Sequence, residues 1–179
     1  MCPAFQVLQL RPPQRLLTSG GLGEMGCGLP AAIGASFATN KGPVLCLVGD
    51  GGLMINLQEL QTIIHHQLPI KIIVFENDGY GMIKKTQDAA GMPRGSVSRE
   101  NGVSIPNLRS IAHSFGYAAC DVTTWAEFNR AIPALFMCKG PAMVIYHMDP
   151  EQAYVPKLEP VYVDGKPTSP RFCDMSPAL

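Results

Sequence analysis

Asp50 and Asn77 are the side chains of this sequence whose types and spacing suit a metal ion. Each follows a short apolar run, with one residue in between. The run is Val44–Val48 for the aspartate and Ile70–Phe75 for the asparagine. A carboxylate, an amide oxygen and a backbone carbonyl at Gly79 are hard oxygen ligands of the kind that Mg²⁺ prefers. Because Mg²⁺ completes its octahedron with water and phosphate oxygens, the set predicts a metal that holds a diphosphate.

The spacing of the two residues predicts that they share one edge of a sheet. They are 77 − 50 = 27 residues apart, which is enough for one helix and one strand to form a parallel crossover. The helix Leu53–His66 is predicted between them, since its leucines and isoleucines recur at helical spacing. Glycines on both sides of Asp50 let the backbone approach a phosphate closely.

Strands and helices alternate along most of the chain. Val44–Val48 and Ile70–Phe75 are apolar runs without polar alternation, which indicates strands buried on both faces. Tyr117–Cys120 and Ala142–Tyr146 are predicted as further strands. Helical periodicity and capping residues predict helices at Leu29–Thr39, Leu53–His66, Asn107–Phe115 and Trp125–Cys138, the last capped by Thr123 or Thr124. This order predicts an α/β fold, a doubly wound, mostly parallel sheet with helices on both faces.

The predicted domain covers residues 18–150. Residues 1–17 are expected to be an N-terminal tail or linker, and the proline-rich residues 151–179 an extended C-terminal tail. Residues 86–104 are polar and contain glycine, which favours a mobile loop. Lys84, Lys85 and Arg94 border this loop, where a solvated surface is the default interpretation and contact with an anionic substrate the alternative.

Three sequence blocks resemble the C-terminal, diphosphate-binding domain of thiamine-diphosphate (ThDP)-dependent enzymes of the acetolactate synthase and pyruvate decarboxylase type. The blocks follow one another in the order that the family has, and they are Ser19–Gly34, Gly49–Leu60 and Asn77–Met82. The resemblance implies a flavodoxin-like ThDP-binding fold, bound ThDP and Mg²⁺, and chemistry on a 2-oxo acid such as pyruvate. It leaves open carboligation of the acetolactate synthase kind or decarboxylation.

The resemblance also implies roles for individual residues. Asp50 and Asn77 match the side-chain metal ligands, and Gly79 matches the backbone ligand. Met25 matches the apolar prop that bends the cofactor, and Gly23 matches the glycine whose carbonyl accepts a hydrogen bond from the aminopyrimidine. The remaining residues expected to line the cofactor are Glu24, Gly49, Gly51, Gly52, Tyr80, Gly81 and Met82. Glu76 stands where the family usually has asparagine; it is expected to point into the sheet edge or to pair with a lysine.

In the family, a glutamate from a separate pyrimidine-binding domain activates the cofactor. Residues 1–17 contain no acidic residue, so the site is expected to need that domain from the same longer chain or from a partner subunit. A homo- or hetero-oligomer is therefore expected. No FAD is expected, because the middle domain that carries flavin in some relatives has no counterpart here.

Two other functions fit parts of the sequence. The missing glutamate would also suit a non-catalytic module that binds a diphosphate or mediates assembly. Gly21–Gly26 matches the GxGxxG pattern, which permits a Rossmann-type nicotinamide dehydrogenase domain. That alternative requires a strand directly before the glycines, which residues 11–19 do not suggest, and it leaves the turn at Asn77 unexplained.

Composition restricts the class of partner. Lys and Arg total 14, as do Asp and Glu, so the formal net charge is zero. Such a chain has no basic field to attract nucleic acid or an anionic membrane. The six cysteines form no CxxC pair, which favours free thiols in a cytoplasmic protein.

Overall fold

The computed structural model describes residues 8–155, 161–164 and 166–168. They fall into two compact units. One is Leu10–Pro150, and the described residues of the other are 8–9, 151–155, 161–164 and 166–168. The described part of the second unit contains an antiparallel strand pair, β5 (Val161–Val163) and β6 (Lys166–Thr168). This antiparallel pairing differs from the extended tail expected for residues 151–179.

The first unit is built on a four-stranded parallel sheet. In chain order its strands are β1 (Val44–Gly49), β2 (Ile70–Glu76), β3 (Ala118–Val122) and β4 (Ala142–His147). Their spatial order is β1-β2-β4-β3, and all neighbouring pairs are parallel. The inserted position of β4 places the carboxyl ends of β1, β2 and β4 side by side. The predicted parallel α/β fold is confirmed.

Among the described residues, six α-helices and one 3₁₀ turn (Arg99–Asn101) precede or connect the strands. The helices are α1 (Gly28–Ala38), α2 (Asp50–Ile55), α3 (Glu59–His65), α4 (Gly81–Ala89), α5 (Leu108–Ser114) and α6 (Trp125–Met137). Asn107 caps α5 by accepting a hydrogen bond from Ser110 N. Thr124 and Glu127 form a capping box at the start of α6. Within the described residues, no helix is long and apolar enough to cross a membrane.

Both faces of the sheet carry apolar cores, because alternate residues of each buried strand point to opposite sides. The larger core packs one face against helices that include α1, α2, α3 and α5, with residues such as Leu29, Leu53, Leu60, Ile72, Leu108 and Ile145. The smaller core packs the other face against α6, with Ile73, Val122, Leu135, Ala142 and Val144. Helices therefore cover both faces, as predicted for a doubly wound sheet.

Two predicted elements differ in the structure. The single helix expected at Leu53–His66 is divided into α2 and α3. The backbone of Asn56 is not helical, with φ −125° and ψ 41°, and its Nδ2 donates to Gly26 O at 2.8 Å. The loop expected at residues 86–104 is partly helical, since α4 runs to Ala89 and a 3₁₀ turn follows at Arg99–Asn101. Hydrogen bonds between Gln87 and Gly95 join the two parts.

Candidate cofactor site

The carboxylate of Asp50 joins the two predicted turns. Asp50 is the first residue of α2 and is 1% exposed. Its Oδ2 accepts hydrogen bonds from Asn77 N at 3.0 Å and from Gly79 N at 3.1 Å. Its Oδ1 accepts one from Gly51 N at 2.7 Å. The structure thus brings together the ends of β1 and β2, at which the sequence predicted a shared ligand.

Strand register explains why these turns meet. β1 and β2 are parallel neighbours, with Gly49 opposite Phe75 as the last pair. The chain therefore leaves both strands at the same edge of the sheet, where ligands bind in open α/β folds. The helix that follows β1 begins at Asp50 itself rather than near Leu53, as the sequence analysis had expected.

The electrostatics of Asp50 combine burial with dense hydrogen bonding. Burial raises the pKa of the carboxyl group above its ordinary value, while backbone hydrogen bonds from Gly51, Gly79, Asn77 and Asp78 act in the opposite direction. A buried carboxylate is costly unless polar groups satisfy it. The donors are backbone N–H groups, whose positions are set by the two turns and not by side-chain rotation. They therefore fix the orientation of the Asp50 carboxylate.

Two glycines make the close approach of the turns possible. A Cβ atom built on Gly51 would lie 2.5 Å from Cδ1 of the Tyr80 ring. The same Cβ atom would lie 3.7 Å from Gly79 O. Gly79 has φ +148°, which side chains rarely allow, and a Cβ there would meet the carbonyl of Val97. The backbone oxygen predicted as the third metal ligand thus faces the turn that begins at Asp50.

The segment after the second turn is held by backbone pairing. Gly79 forms an isolated antiparallel bridge with Ser98, and Tyr80 N donates to Val97 O at 2.8 Å. The 3₁₀ turn behind this bridge is closed by a capping box between Ser98 and Asn101. The 86–104 segment therefore contributes backbone contacts that shape the turn at Asn77.

The glycine-rich loop before α1 contacts α2 through Gly26. Gly26 has φ +94°, and a Cβ on it would meet the side chain of Ile55, so the loop lies directly against the helix. Gly23 has φ +65°, and its N–H donates to Ser19 O at 2.9 Å. Ser19 Oγ donates to Glu24, whose pKa is lowered mainly by this hydrogen bond.

Met25 and Met82 lie outside the contacts that join Asp50 to Asn77. Both side chains are about half exposed, at 45% and 48%. Gly49 ends β1 in an extended conformation, Gly52 is the third residue of α2, and Gly81 begins α4. The structure therefore brings the predicted metal ligands Asp50, Asn77 and Gly79 together at one edge of the sheet, while the predicted prop Met25 is about half exposed.

An unpredicted cluster of charged side chains lies beside this edge. His147, at the end of β4, is paired in register with Glu76, and its Nδ1 contacts Glu76 Oε2. Its Nε2 lies 3.1 Å from Asp121 Oδ1 on β3. The expectation that Glu76 points into the sheet edge or pairs with a lysine was wrong about the partner, which is a histidine. No local sequence pattern places β4 next to β2, so the pairing of His147 with Glu76 was not predicted.

Glu76 and Asp50 are electrostatically coupled. Burial raises the pKa of Glu76, the adjacent His147 lowers it, and the negative charges of Asp50 and Asp121 raise it further. Glu76 and His147 also line a cleft of about 360 Å³, together with Asn77, Asp78, Arg99, Ile105, Pro106, Asn107, Met148 and Pro150. The predicted metal site and this cleft thus share Asn77.

Lys84 is a second residue whose environment differs from the expectation. It is 5% exposed, although a solvated surface had been expected, and its Nζ donates to Pro150 O at 2.8 Å. Arg94 pairs with Asp88, with Nε 2.7 Å from Oδ1. Both basic side chains are therefore held by protein groups.

Comparison with known proteins identifies the family. Residues 2–146 match the model of the thiamine pyrophosphate enzyme, C-terminal TPP binding domain. The chain belongs to this family of ThDP-binding domains. The Rossmann-type alternative has no support, since residues 8–19 contain no strand ahead of the glycine-rich loop.

The similar curated proteins are acetolactate synthases. The chain is 38% identical over 161 residues to acetolactate synthase isozyme 1 large subunit of Escherichia coli (strain K12), covering 87% of this chain and 27% of that protein. It is 38% identical over 147 residues to acetolactate synthase 3, chloroplastic, of Brassica napus, covering 79% of this chain and 22% of that protein. The chain spans about a quarter of the length of these relatives.

Solved structures share the fold. Benzoylformate decarboxylase from Polynucleobacter necessarius matches with a TM-score of 0.63 at 23% identity, covering 75% of this chain and 25% of that chain. A ThDP-dependent 4-hydroxybenzoylformate decarboxylase from Rhodococcus jostii RHA1 matches with a TM-score of 0.62 at 24% identity, covering 70% of this chain and 23% of that chain. At this identity the likeness supports the fold alone.

Proposed function

We propose that this chain binds the diphosphate of ThDP through Mg²⁺ held by Asp50, Asn77 and Gly79, as part of an acetolactate synthase-like enzyme. The observation that carries the proposal is the bridge from the Asp50 carboxylate to the backbone of Asn77 and Gly79. It joins two turns from separate strands around oxygen ligands of the kind that Mg²⁺ prefers.

The residues fit this metal and anion. One carboxylate, one amide and one carbonyl leave coordination positions open for phosphate oxygens and water. The Gly79 oxygen lies beside the position that a Cβ on Gly51 would occupy. With a formal net charge of zero, the chain must hold a diphosphate through local groups rather than through a basic surface.

The protein's own residues would bind and orient the cofactor. When bound, ThDP supplies a thiazolium carbon that reacts with the carbonyl group of a 2-oxo acid. Asp50, Asn77 and Gly79 would hold the diphosphate end, and the half-exposed Met25 would contact the cofactor as an apolar prop. Gly23 presents a carbonyl to the aminopyrimidine. A pyrimidine-binding domain, from the same longer chain or a partner subunit, would supply the activating acid in an oligomer.

Calorimetric titration of the full chain with ThDP, with and without Mg²⁺, tests the binding proposal. Binding should require Mg²⁺ and be lost in Asp50→Ala. Asp88→Ala is the matched control, because Asp88 forms a surface pair with Arg94 and should leave binding unchanged. Unaltered affinity in Asp50→Ala would contradict the assignment.

The reaction is tested separately. The full chain is mixed with a pyrimidine-binding domain prepared from an acetolactate synthase, and pyruvate consumption and acetolactate formation are followed. Turnover that depends on both polypeptides and on Asp50 supports an enzyme. ThDP binding without turnover would favour a non-catalytic module.

A further inference from the structure

We propose that the outer side of helix α6 is an interface through which two copies of this chain associate. Trp125, Pro133, Phe136 and Met137 form this surface, hereafter the α6 stripe. They lie on one side of the helix, because residues three or four positions apart, and whole turns beyond, share a face. The inference concerns assembly and does not depend on cofactor binding.

Helix α6 is apolar on both sides. Its inner side packs Phe128 and Leu135 into the smaller core. The structure describes all of α6, and of its eight exposed residues only Asn129 and Arg130 are polar. A surface helix usually presents polar residues to water, whereas a helix that is apolar all round is usually buried. The composition of α6 therefore indicates that a partner covers its outer side.

Helix α5, which packs on the other face of the sheet, shows the ordinary pattern. Its buried residues are Leu108 and Ala112, which belong to the larger core. All of α5 is described, and its exposed residues are polar: Arg109, Ser110, His113 and Ser114. The apolar outer side is therefore a property of α6 and not of every helix on this sheet.

The large side chains of the α6 stripe expose enough area for a substantial part of an interface. Trp125 is 68% exposed, Phe136 55% and Met137 82%. Because large side chains bury about 150–250 Å² when fully covered, these three offer roughly 400 Å² per copy. A stable interface covers about 800 Å² on each partner. Three side chains thus supply roughly half of that area, and Ala126 and Ala134 lie exposed beside them.

Trp125 is supported from behind by other aromatic rings. Its ring centroid lies 5.3 Å from that of Phe128 and 6.1 Å from that of Tyr146. Phe128 and Tyr146 also contact each other, with centroids 5.5 Å apart. The indole is therefore held in place although it is exposed, so little side-chain freedom is lost when a partner covers it. Ordered tryptophan side chains of this kind are enriched at the centres of interfaces.

Charge and symmetry favour a second copy as the partner. A twofold interface brings the same patch of both copies together, so the patch must be complementary to itself. An apolar stripe meets this requirement, whereas a patch of one charge would repel its own copy. Within α6, which is described throughout, Arg130 is the only charged residue that is exposed. The formal net charge of the chain is zero, so no long-range repulsion opposes association.

The fluorescence of Trp125 tests this interface directly, because it is the only tryptophan of the chain. Sedimentation equilibrium of the full chain should show a monomer–dimer equilibrium as the concentration rises. The Trp125 emission maximum should move to shorter wavelength over the same concentrations, since association removes water from the indole. A chain that stays monomeric up to about 1 mM would overturn the proposal. A dimer with unchanged emission would overturn it as well.

Charged substitutions in the α6 stripe should weaken the dimer. Phe136→Glu and Met137→Glu should each raise the dimer Kd at least about tenfold, because each places one charge per copy in an apolar interface. Met137→Leu should retain the dimer. Met92→Glu is the matched control, since Met92 is 58% exposed but lies outside α6. Unfolding midpoints of the same variants separate a folding defect from lost association. Equal dimer Kd values for Met137→Glu and the unmodified chain would overturn the assignment.

The competing occupant of the α6 stripe is another domain. The relatives are about four times as long as this chain, so a pyrimidine-binding domain prepared from an acetolactate synthase is added to the full chain. An emission shift that occurs only with this domain would overturn the second copy as the partner. Magnesium-ThDP titrated into Met137→Glu keeps the two proposals apart. Loss of the dimer with retained Mg²⁺-dependent binding supports both, whereas a chain that dimerises through α6 but binds no magnesium-ThDP would overturn the proposed function alone.

Discussion

The ring of Tyr80 lies against Gly51, at a distance where a side chain on residue 51 has no room. A Cβ there would be 2.5 Å from Cδ1 of the ring. The turn after β2 is therefore pressed onto the start of α2, and the two turns of the candidate site form one packed unit. This contact gives Gly51 a packing role in addition to the predicted approach to a phosphate.

Gly51→Ala should separate the two turns. The added methyl group would displace the Tyr80 ring or the backbone, and overpacking of this kind costs about 1–3 kcal/mol. Urea unfolding should show this loss, and Mg²⁺-dependent ThDP binding should weaken in parallel. Gly34→Ala is the control, because Gly34 lies on the exposed side of α1 and no atom lies within 4 Å of its Cβ position. It should stabilise the protein by about 0.4–1 kcal/mol.

Gly79→Ala should be more damaging than Gly51→Ala. Its φ of +148° disfavours any side chain, and a Cβ would lie 3.1 Å from the carbonyl carbon of Val97 and closer still to its oxygen. Backbone strain and overpacking together should cost about 3 kcal/mol or more in unfolding free energy. Faster hydrogen exchange of the Tyr80 amide, which donates to Val97 O, would report the broken bridge.

Gly91→Ala separates the energetic cost of a positive φ from the cost of a steric clash. Gly91 also has a positive φ, +63°, but no atom lies within 4 Å of its Cβ position. Its replacement should cost about 1 kcal/mol from strain alone. Equal losses of unfolding free energy in Gly91→Ala and Gly79→Ala would mean that the steric clash with Val97 contributes little.

Much of the fold follows from the sequence because burial leaves a direct signal there. Strands β1, β2 and β4 were predicted to within one residue at each end, since each is an uninterrupted apolar run. The predicted burial on both faces fails for the edge strand β1, in which Leu45 is 44% exposed. The helix start at Trp125 was predicted from its threonine cap, which the structure confirms as Thr124. The pairing of β1 with β2 then brings Asp50 to Asn77.

Other features depend on tertiary contacts that no local pattern carries. Helix α2 ends near Asn56 because this side chain bonds Gly26, 30 residues earlier in the chain. Glu76 was recognised as unusual, but its partner His147 lies 71 residues later and becomes its neighbour through the strand order β1-β2-β4-β3. Periodicity identifies a strand but not which strand pairs beside it.

Glu127→Gln should lower stability in a pH-dependent way. Hydrogen bonds from the N–H and hydroxyl of Thr123 and the N–H of Thr124 lower the pKa of Glu127 to about 2. A folded-state pKa below the unfolded value stabilises the fold above the unfolded pKa, and this contribution disappears as pH falls through the folded pKa. The urea midpoint of the variant should therefore lie below that of the parent at pH 7.

The same comparison at lower pH provides the control. Between the ordinary value of 4.5 and about 2, the two urea midpoints should converge as the parent carboxylate gains its proton. A gap that stays constant over this range would mean that the side chain stabilises α6 through packing rather than through its charge.

Lys84→Met should weaken the attachment of α4 to the end of β4. Lys84 is 5% exposed, and its Nζ donates to Pro150 O at 2.8 Å. Methionine retains most of the apolar stem but leaves the Pro150 carbonyl without its charged donor, which should cost about 1–3 kcal/mol. Lys85→Met, a neighbour on the same helix, is the control and should change the unfolding free energy by less than about 0.5 kcal/mol.

Since α4 begins at Gly81, directly after Tyr80, a loosened helix should also weaken ThDP binding in Lys84→Met. Identical stability of the two variants would show that the Pro150 contact does not hold the helix.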